Sequence, residues 1–185
     1  MENERIILGI DPGTNIMGYG IIKIVRSQPM LVNLDIIELK KFKDHYVRLK
    51  VLFERTIQLI NNYCPDELAI EAPFYGKNVQ SMLLLGRAQG VAISAALSRE
   101  IPVFEYSPRK IKLSITGHGN ASKEQVASML QSILKIDRIP KNLDATDGLA
   151  VALCHYYQNK LSDQPASYKS WNEFIRKNPG RLNQE

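Results

Sequence analysis

Four carboxylates stand where a folded chain could use them together. Asp11 follows the apolar run Ile6 to Ile10 and opens the turn Asp11-Pro12-Gly13-Thr14. Glu71 closes a second apolar stretch, Glu67-Leu68-Ala69-Ile70-Glu71. Asp144 and Asp147 sit three positions apart at the start of a helical pattern, so both project from nearly one face. A cluster of hard oxygen donors suits Mg²⁺ or Mn²⁺ better than zinc. Two such ions roughly 4 Å apart can activate a water and stabilise a leaving oxygen in phosphodiester cleavage. Each acid also has an ordinary explanation. Asp11 could make an Asx turn, Asp144 could be a helix N-cap, and Asp147 suits the helix dipole. Glu71 could form a salt bridge at a loop edge. The set stands out because an acid ends an apolar strand twice.

The elements that would position these acids follow from hydrophobic period. Ile6–Ile10, Gly18–Val25 and Met30–Leu39 are β-branched runs separated by short turns, which predicts an antiparallel meander. From Asp44 the period changes: Tyr46, Leu49, Phe53, Ile57 and Ile60 recur three and four apart, marking an amphipathic helix. Glu67–Glu71 reads as a fourth strand and Pro102–Tyr106 as a fifth, with a helix from about Asn78 to Arg99 between them. Ser107-Pro108 opens a short helix with serine as cap and proline at the first position. Ser122–Leu134 begins with a capping-box pattern, Ser122 and Gln125, and the last helix runs from Asp144 to about Lys160. Strands joined through helices must be parallel, with right-handed crossovers. The expected fold is therefore α/β, a mixed five-stranded sheet with helices on both faces. Active sites in such sheets form beyond strand ends. If the first and fourth strands are neighbours, the four acids converge.

Composition supports one folded domain. The chain has 185 residues, 44% of them apolar, enough to bury a core without staples. We expect the domain to span residues 1–160 and a polar C-terminal tail to span 161–185. Tyr168, Trp171, Phe174 and Ile175 in that tail have helical spacing and are expected to dock back on the domain or to bind a partner. The cysteines, Cys64 and Cys154, form no metal-ligand spacing, so both are expected to be buried free thiols. The charged N-terminus is no signal peptide, and no apolar run is long enough to span a membrane. A soluble, cytoplasmic protein with no membrane partner is expected.

The net charge is +5, which hints at a polyanionic partner; where the charge sits says more. Residues 107–123 hold Arg109, Lys110, Lys112 and Lys123 and no acid, a local surplus that fits phosphate contacts. Gly117 and Gly119 would let backbone amides approach phosphates. Phe74 lies three residues after Glu71 in a loop with Tyr75, Gly76 and Lys77. A loop aromatic beside a basic groove can stack on an unpaired base or wedge a junction open. His118 reads as a solvated loop histidine. His155 lies eight residues past Asp147, about 12 Å along a helix, and reads as structural.

Four ordered segments resemble one family. Gly9-Ile10-Asp11-Pro12-Gly13-Thr14 with Gly18-Tyr19-Gly20, then Ala69-Ile70-Glu71-Ala72-Pro73-Phe74, then Gly86-Arg87-Ala88-Gln89-Gly90-Val91-Ala92, then Leu143-Asp144-Ala145-Thr146-Asp147-Gly148 through Ala152, are similar to Holliday-junction resolvases of the RuvC type. The similarity covers about residues 5–158. It implies an RNase H-like fold and a metal-dependent DNA endonuclease. Asp11, Glu71, Asp144 and Asp147 match the family's catalytic, metal-binding acids, with Asp11 the shared ligand of two Mg²⁺ ions for which Mn²⁺ can substitute. Lys112 and Lys123 match DNA-contacting positions, and Phe74 a base-contacting one. The implied reaction leaves a 5′-phosphate and a 3′-hydroxyl without a covalent enzyme intermediate.

The resemblance further implies four-way junction DNA as substrate, a homodimer, and the RuvA and RuvB branch-migration proteins as partners. Two-fold symmetry suits the task, because two strands must be cut symmetrically. The small-residue helix Asn78–Arg99 is the candidate dimer contact. The competing readings are another RNase H-like nuclease, such as one processing ribosomal RNA, and a junction-binding protein without catalysis. An ATPase of the actin and sugar-kinase type needs two lobes, for which this chain is too short. Sedimentation at micromolar concentration is expected to give a two-chain mass; a monomer would count against the dimer.

Overall fold

The computed structural model describes residues 4–73 and 78–162, with side chains described through residue 159. The order is β1 (Arg5–Asp11), β2 (Ile16–Val25), β3 (Gln28–Glu38), α1 (His45–Tyr63), β4 (Glu67–Glu71), α2 (Val79–Leu97), β5 (Val103–Tyr106), α3 (Pro108–Thr116), α4 (Lys123–Leu134) and α5 (Asp144–Ser162). The strands form one sheet in the order β3-β2-β1-β4-β5. β1, β2 and β3 pair antiparallel, while β1 with β4 and β4 with β5 pair parallel. The meander and the parallel extension are both as expected. The reason is connection length: short turns permit only antiparallel return, and helical crossovers permit parallel pairing.

Local chemistry sets the helix ends. The Asp44 carboxylate accepts from the Val47 N–H at 2.9 Å, and the Asn78 side chain accepts from Ser81. Ser107 caps α3 with Pro108 at its first turn, and Ser122 with Gln125 completes a reciprocal capping box at α4. Cys64 departs from expectation. It is exposed, because it ends α1 in the left-handed region (φ 45°) with its N–H on the Ile60 carbonyl. Cys154 is buried as expected.

Helices cover both faces of the sheet. On one face, Leu8, Ile10, Ile21, Leu68 and Ile70 pack with residues of α1 and α2. On the other, Ile7, Ile22 and Ala69 pack with α5, flanked by Ile111 and Ile115 of α3 and by Val126 and Leu130 of α4. α5 is the buried centre of this face; Leu149 through Cys154 are at most 1% exposed, as a helix apolar all round must be. Among the described residues, no helix is long and apolar enough to cross a membrane.

α5 lies unusually close to the strands because glycines line the contact. A Cβ on Gly9 would stand 2.2 Å from the Gly148 carbonyl oxygen, and one on Gly20 would stand 2.3 Å from Leu149 Cα. Both obstacles are backbone, so no side-chain rotation relieves them. Gly9→Ala is therefore expected to cost at least the upper end of the roughly 1–3 kcal/mol typical of overpacking. Urea unfolding would measure this, and wild-type stability in the variant would refute the tight contact.

Candidate active site

Strand alternation decides which residues share the α5 face. In β1 the inward set on this face is Ile7, Gly9 and Asp11; in β4 it is Ala69 and Glu71. The parallel register runs from Ile7 opposite Glu67 to Ile10 opposite Ile70, so Asp11 and Glu71 emerge side by side at the same sheet edge. The next strand extends the edge: Glu71 pairs with Tyr106, and the Ala72 N–H donates to the Tyr106 carbonyl at 2.9 Å. α5 begins at this edge, so Asp144 and Asp147 in its first turn face the strand ends.

The result is one cavity of about 300 Å³. Asp11, Glu71, Lys112, Lys123 and Asp147 form its polar lining, over an apolar floor that includes Ile111 and Val126. Asp144 stands at its rim through Lys123, whose Nζ donates to Asp144 Oδ1 at 2.8 Å and to Asp147 Oδ2 at 2.5 Å. Arg109 and Lys110 are exposed on α3 and do not line the cavity; the Lys110 Nζ lies 5.2 Å from the centre of the Tyr106 ring. Phe74 falls outside the described residues. His118 is exposed. His155 is fully buried, as a structural residue should be.

Electrostatics mark the acids as a group. Burial, with Asp147 and Asp144 adding like charge, pushes the Asp11 carboxyl up to about 7 against the pull of Lys123. Burial and the neighbouring charges of Asp11 and Asp147 push Glu71 up to about 8. Burial raises Asp147 as well, although Lys123 pulls the other way. Burial works against the Lys123 ammonium, but its hydrogen bonds to Asp144 and Asp147 prevail and its pKa rises. Among the described residues, the side chains of Asp11 and Glu71 have no hydrogen bond or ion pair of their own.

A divalent cation fits this donor set. The oxygens are hard, and among the described residues no cation contacts Asp11 or Glu71 directly; only the more distant charges of Lys112 and Lys123 act on them. Lys123 bridges Asp144 and Asp147, and among the described residues no three acids, histidines or cysteines gather round one point as a closed cage. Asp11, Glu71, Asp144 and Asp147 would supply the ligands once a cation rather than Lys123 balances the pair on α5.

Two supporting groups had no sequence signal. The Arg48 guanidinium reaches from α1 to the Phe42 carbonyl at 2.6 Å, the Thr14 carbonyl at 3.2 Å and Asn15 Oδ1 at 2.8 Å, clamping the turn that follows Asp11. An arginine on a helix face looks solvated until the turn is folded beside it. Gln89, only 7% exposed, donates to the Glu71 carbonyl at 3.4 Å and to Glu105 at 3.3 Å. Its place in the small-residue stretch of α2 is visible in the sequence, but its partners on β4 and β5 depend on tertiary packing.

The raised carboxyls carry a sign. A folded-state pKa above the unfolded value means that stability is full below about pH 4 and is lost as pH rises through about 7 to 8. In chelator, the wild-type melting temperature is expected to fall across that window. Asp11→Asn should flatten the fall and melt several degrees higher at pH 8. A thermal melt series checks this, and an equal or lower melting temperature for the variant at pH 8 would refute it.

Comparison with known proteins agrees with this geometry. Residues 7–155 match the family model described as crossover junction endodeoxyribonuclease RuvC. A protein of that name from Christiangramia forsetii is 61% identical over 182 residues, covering 98% of this chain and 95% of its own. Another of that name from Cytophaga hutchinsonii is 59% identical over 179 residues, covering 97% of this chain and 88% of its own. Among solved structures, T. thermophilus RuvC in complex with a Holliday junction substrate superposes with a TM-score of 0.79 at 26% identity, covering 85% of this chain and 96% of the other. The sheet order is thus that of an RNase H-like resolvase, and the chain belongs to the RuvC family of crossover junction endodeoxyribonucleases.

Proposed function

We propose that the chain resolves four-way DNA junctions by paired, symmetric, metal-dependent nicks, serving recombination and repair in the cytoplasm. The observation that carries this reading is the convergence of Asp11, Glu71 and Asp147 with Lys112 and Lys123 in one cavity, on a chain of this family. The acids are the catalytic residues. They would hold Mg²⁺, two ions on this reading, for which Mn²⁺ could substitute.

Bound metal supplies a nucleophilic water at neutral pH and neutralises charge on the scissile phosphate. The chain's own residues do the rest. Asp11 and Glu71, fixed on adjacent strands, present their carboxylates without side-chain reorganisation. Lys112 stands on the cavity wall with its charge toward Glu71 and Asp147 and is placed to meet a phosphate. An ammonium paired to two carboxylates cannot also neutralise a phosphate. Lys123 therefore turns to DNA only when Asp144 and Asp147 have another positive partner. Arg109 and Lys110 extend the basic surface along α3, and Phe74 is assigned to an unpaired base at the junction.

A homodimer places two such sites on one junction. α2 supports the dimer reading: Val79, Leu83 and Leu97 are 65%, 59% and 57% exposed. Cβ atoms on Gly86 and Gly90 would meet nothing within 4 Å, so their own chain does not require glycine there. RuvA and RuvB are the proposed partners, and residues 1–160 the nuclease domain.

A labelled four-way junction and a matched duplex, each with Mg²⁺ or chelator, test the reading. Wild type is expected to nick the junction in ligatable pairs. Asp11→Asn should keep binding but lose at least about a hundredfold in rate, since metal-held charge stabilisation is worth several kcal/mol. Lys112→Ala should lower the salt dependence of junction binding by about one unit of slope. Binding without cleavage would indicate a junction-binding module. Better cleavage of RNA would indicate an RNA-processing nuclease.

A further inference from the structure

Beside the β2–β3 turn, far from the acids, the core has an uncovered margin. A groove of about 590 Å³ runs between β3 and the end of α4, lined by the apolar Pro29, Met30, Leu31, Ile133, Leu134 and Ile136 together with the polar Gln28, Lys135 and Asp137. Met30 is 56% exposed. Leu31, Ile133, Leu134 and Ile136 are half-buried against the α5 side of the core, together with Tyr157. β3 is also the sheet's edge strand, and an apolar side chain left on an edge invites a covering segment.

α5 delivers the chain to this groove. The Tyr156 hydroxyl donates to the Ser27 carbonyl at 2.7 Å, next to Gln28 and Pro29, and Tyr157 packs against the same core. Ser162, the last described residue of α5, lies about 9 Å further on. The segment that continues, 163–185, carries Tyr168, Trp171, Phe174 and Ile175, the first three spaced three apart and the last adjacent, four past Trp171. In helical form that spacing would set four large apolar groups along one side. The residues from Ser162 to Tyr168 can span roughly 20 Å, enough to turn back.

We propose that segment 163–185 docks its apolar stripe into this groove of its own chain. The tether favours that occupant over a separate partner, because a short linker gives an effective concentration in the millimolar range. Docking would cover the apolar edge of β3 and tie the end of α5 to the end of α4. Those two helices carry Asp144, Asp147 and Lys123 at their other ends. The proposal does not rest on the nuclease reading.

Trp171 is the chain's one tryptophan, so its fluorescence reports on docking in the full-length protein. Wild type is expected to emit to the blue of N-acetyltryptophanamide, with an acrylamide quenching constant severalfold lower. Ile136→Asp, half-buried on the groove wall just past the end of α4, should raise that constant severalfold while circular dichroism stays unchanged, and Ile136→Leu should keep the shielding. Pro29→Asp, on the facing strand, gives the same readout in a second variant should Ile136→Asp fail to fold. A solvent-like tryptophan in wild type would overturn the proposal, as would shielding that survives in Ile136→Asp or Pro29→Asp with wild-type circular dichroism. Shielding lost on dilution from micromolar to nanomolar would assign the groove to a second copy, and shielding that arises only with added junction DNA would assign the segment to DNA. Either result overturns it too.

Discussion

The close approach of α5 to β1 and β2 is the contact on which the rest depends. Gly9, Gly20 and Gly148 let backbone meet backbone where any side chain would collide. That contact lowers the first turns of α5 onto the sheet and brings Asp144 and Asp147 to the strand ends carrying Asp11 and Glu71. The same proximity buries Leu149 through Cys154 completely, so the helix that delivers half of the acids is also the centre of one core. Packing and site geometry here are one constraint, which is why a single methyl group on Gly9 threatens both.

Holding those acids together works against stability. Burial and mutual repulsion leave Asp11 and Glu71 reluctant to ionise near neutral pH, a conflict that folding alone would not retain. Lys123 relieves part of it by bridging Asp144 and Asp147. Among the described residues it leaves Asp11 and Glu71 without a direct ion pair, and only the more distant charges of Lys112 and Lys123 act on them. A cluster built this way has room for added positive charge.

Beneath the site, polar groups lock the elements that carry the acids. His155 of α5 meets the Tyr106 hydroxyl at 2.6 Å and Glu67 at 2.9 Å, and Glu67 also pairs with Arg5 of β1 at 3.6 Å. Its ring packs on Phe104 with centroids 4.4 Å apart. The Glu67 carboxyl is held below its ordinary range chiefly by its hydrogen bond to His155. One buried histidine thus joins β1, β4, β5 and α5. Arg48 does comparable work from the opposite layer by clamping the turn after Asp11. These are long-range contacts between different elements, and together they fix the strands that carry the acids.

The sequence by itself determined the elements and their directions, and it marked four acids by their positions. Period, caps and turn residues are local, and connection length alone dictates which strands run parallel. An acid placed directly after an apolar strand is legible for the same reason. Tertiary structure decided what depends on distance between remote residues. It made β1 and β4 neighbours, set Lys123 between Asp144 and Asp147, and separated Lys112 at the cavity from Arg109 and Lys110 outside it. It exposed Cys64, whose left-handed backbone at a helix end no composition rule anticipates. It also gave Gly9 and Gly20 their meaning, since a strand glycine reads as a weakness until the helix that needs its missing side chain is laid across it.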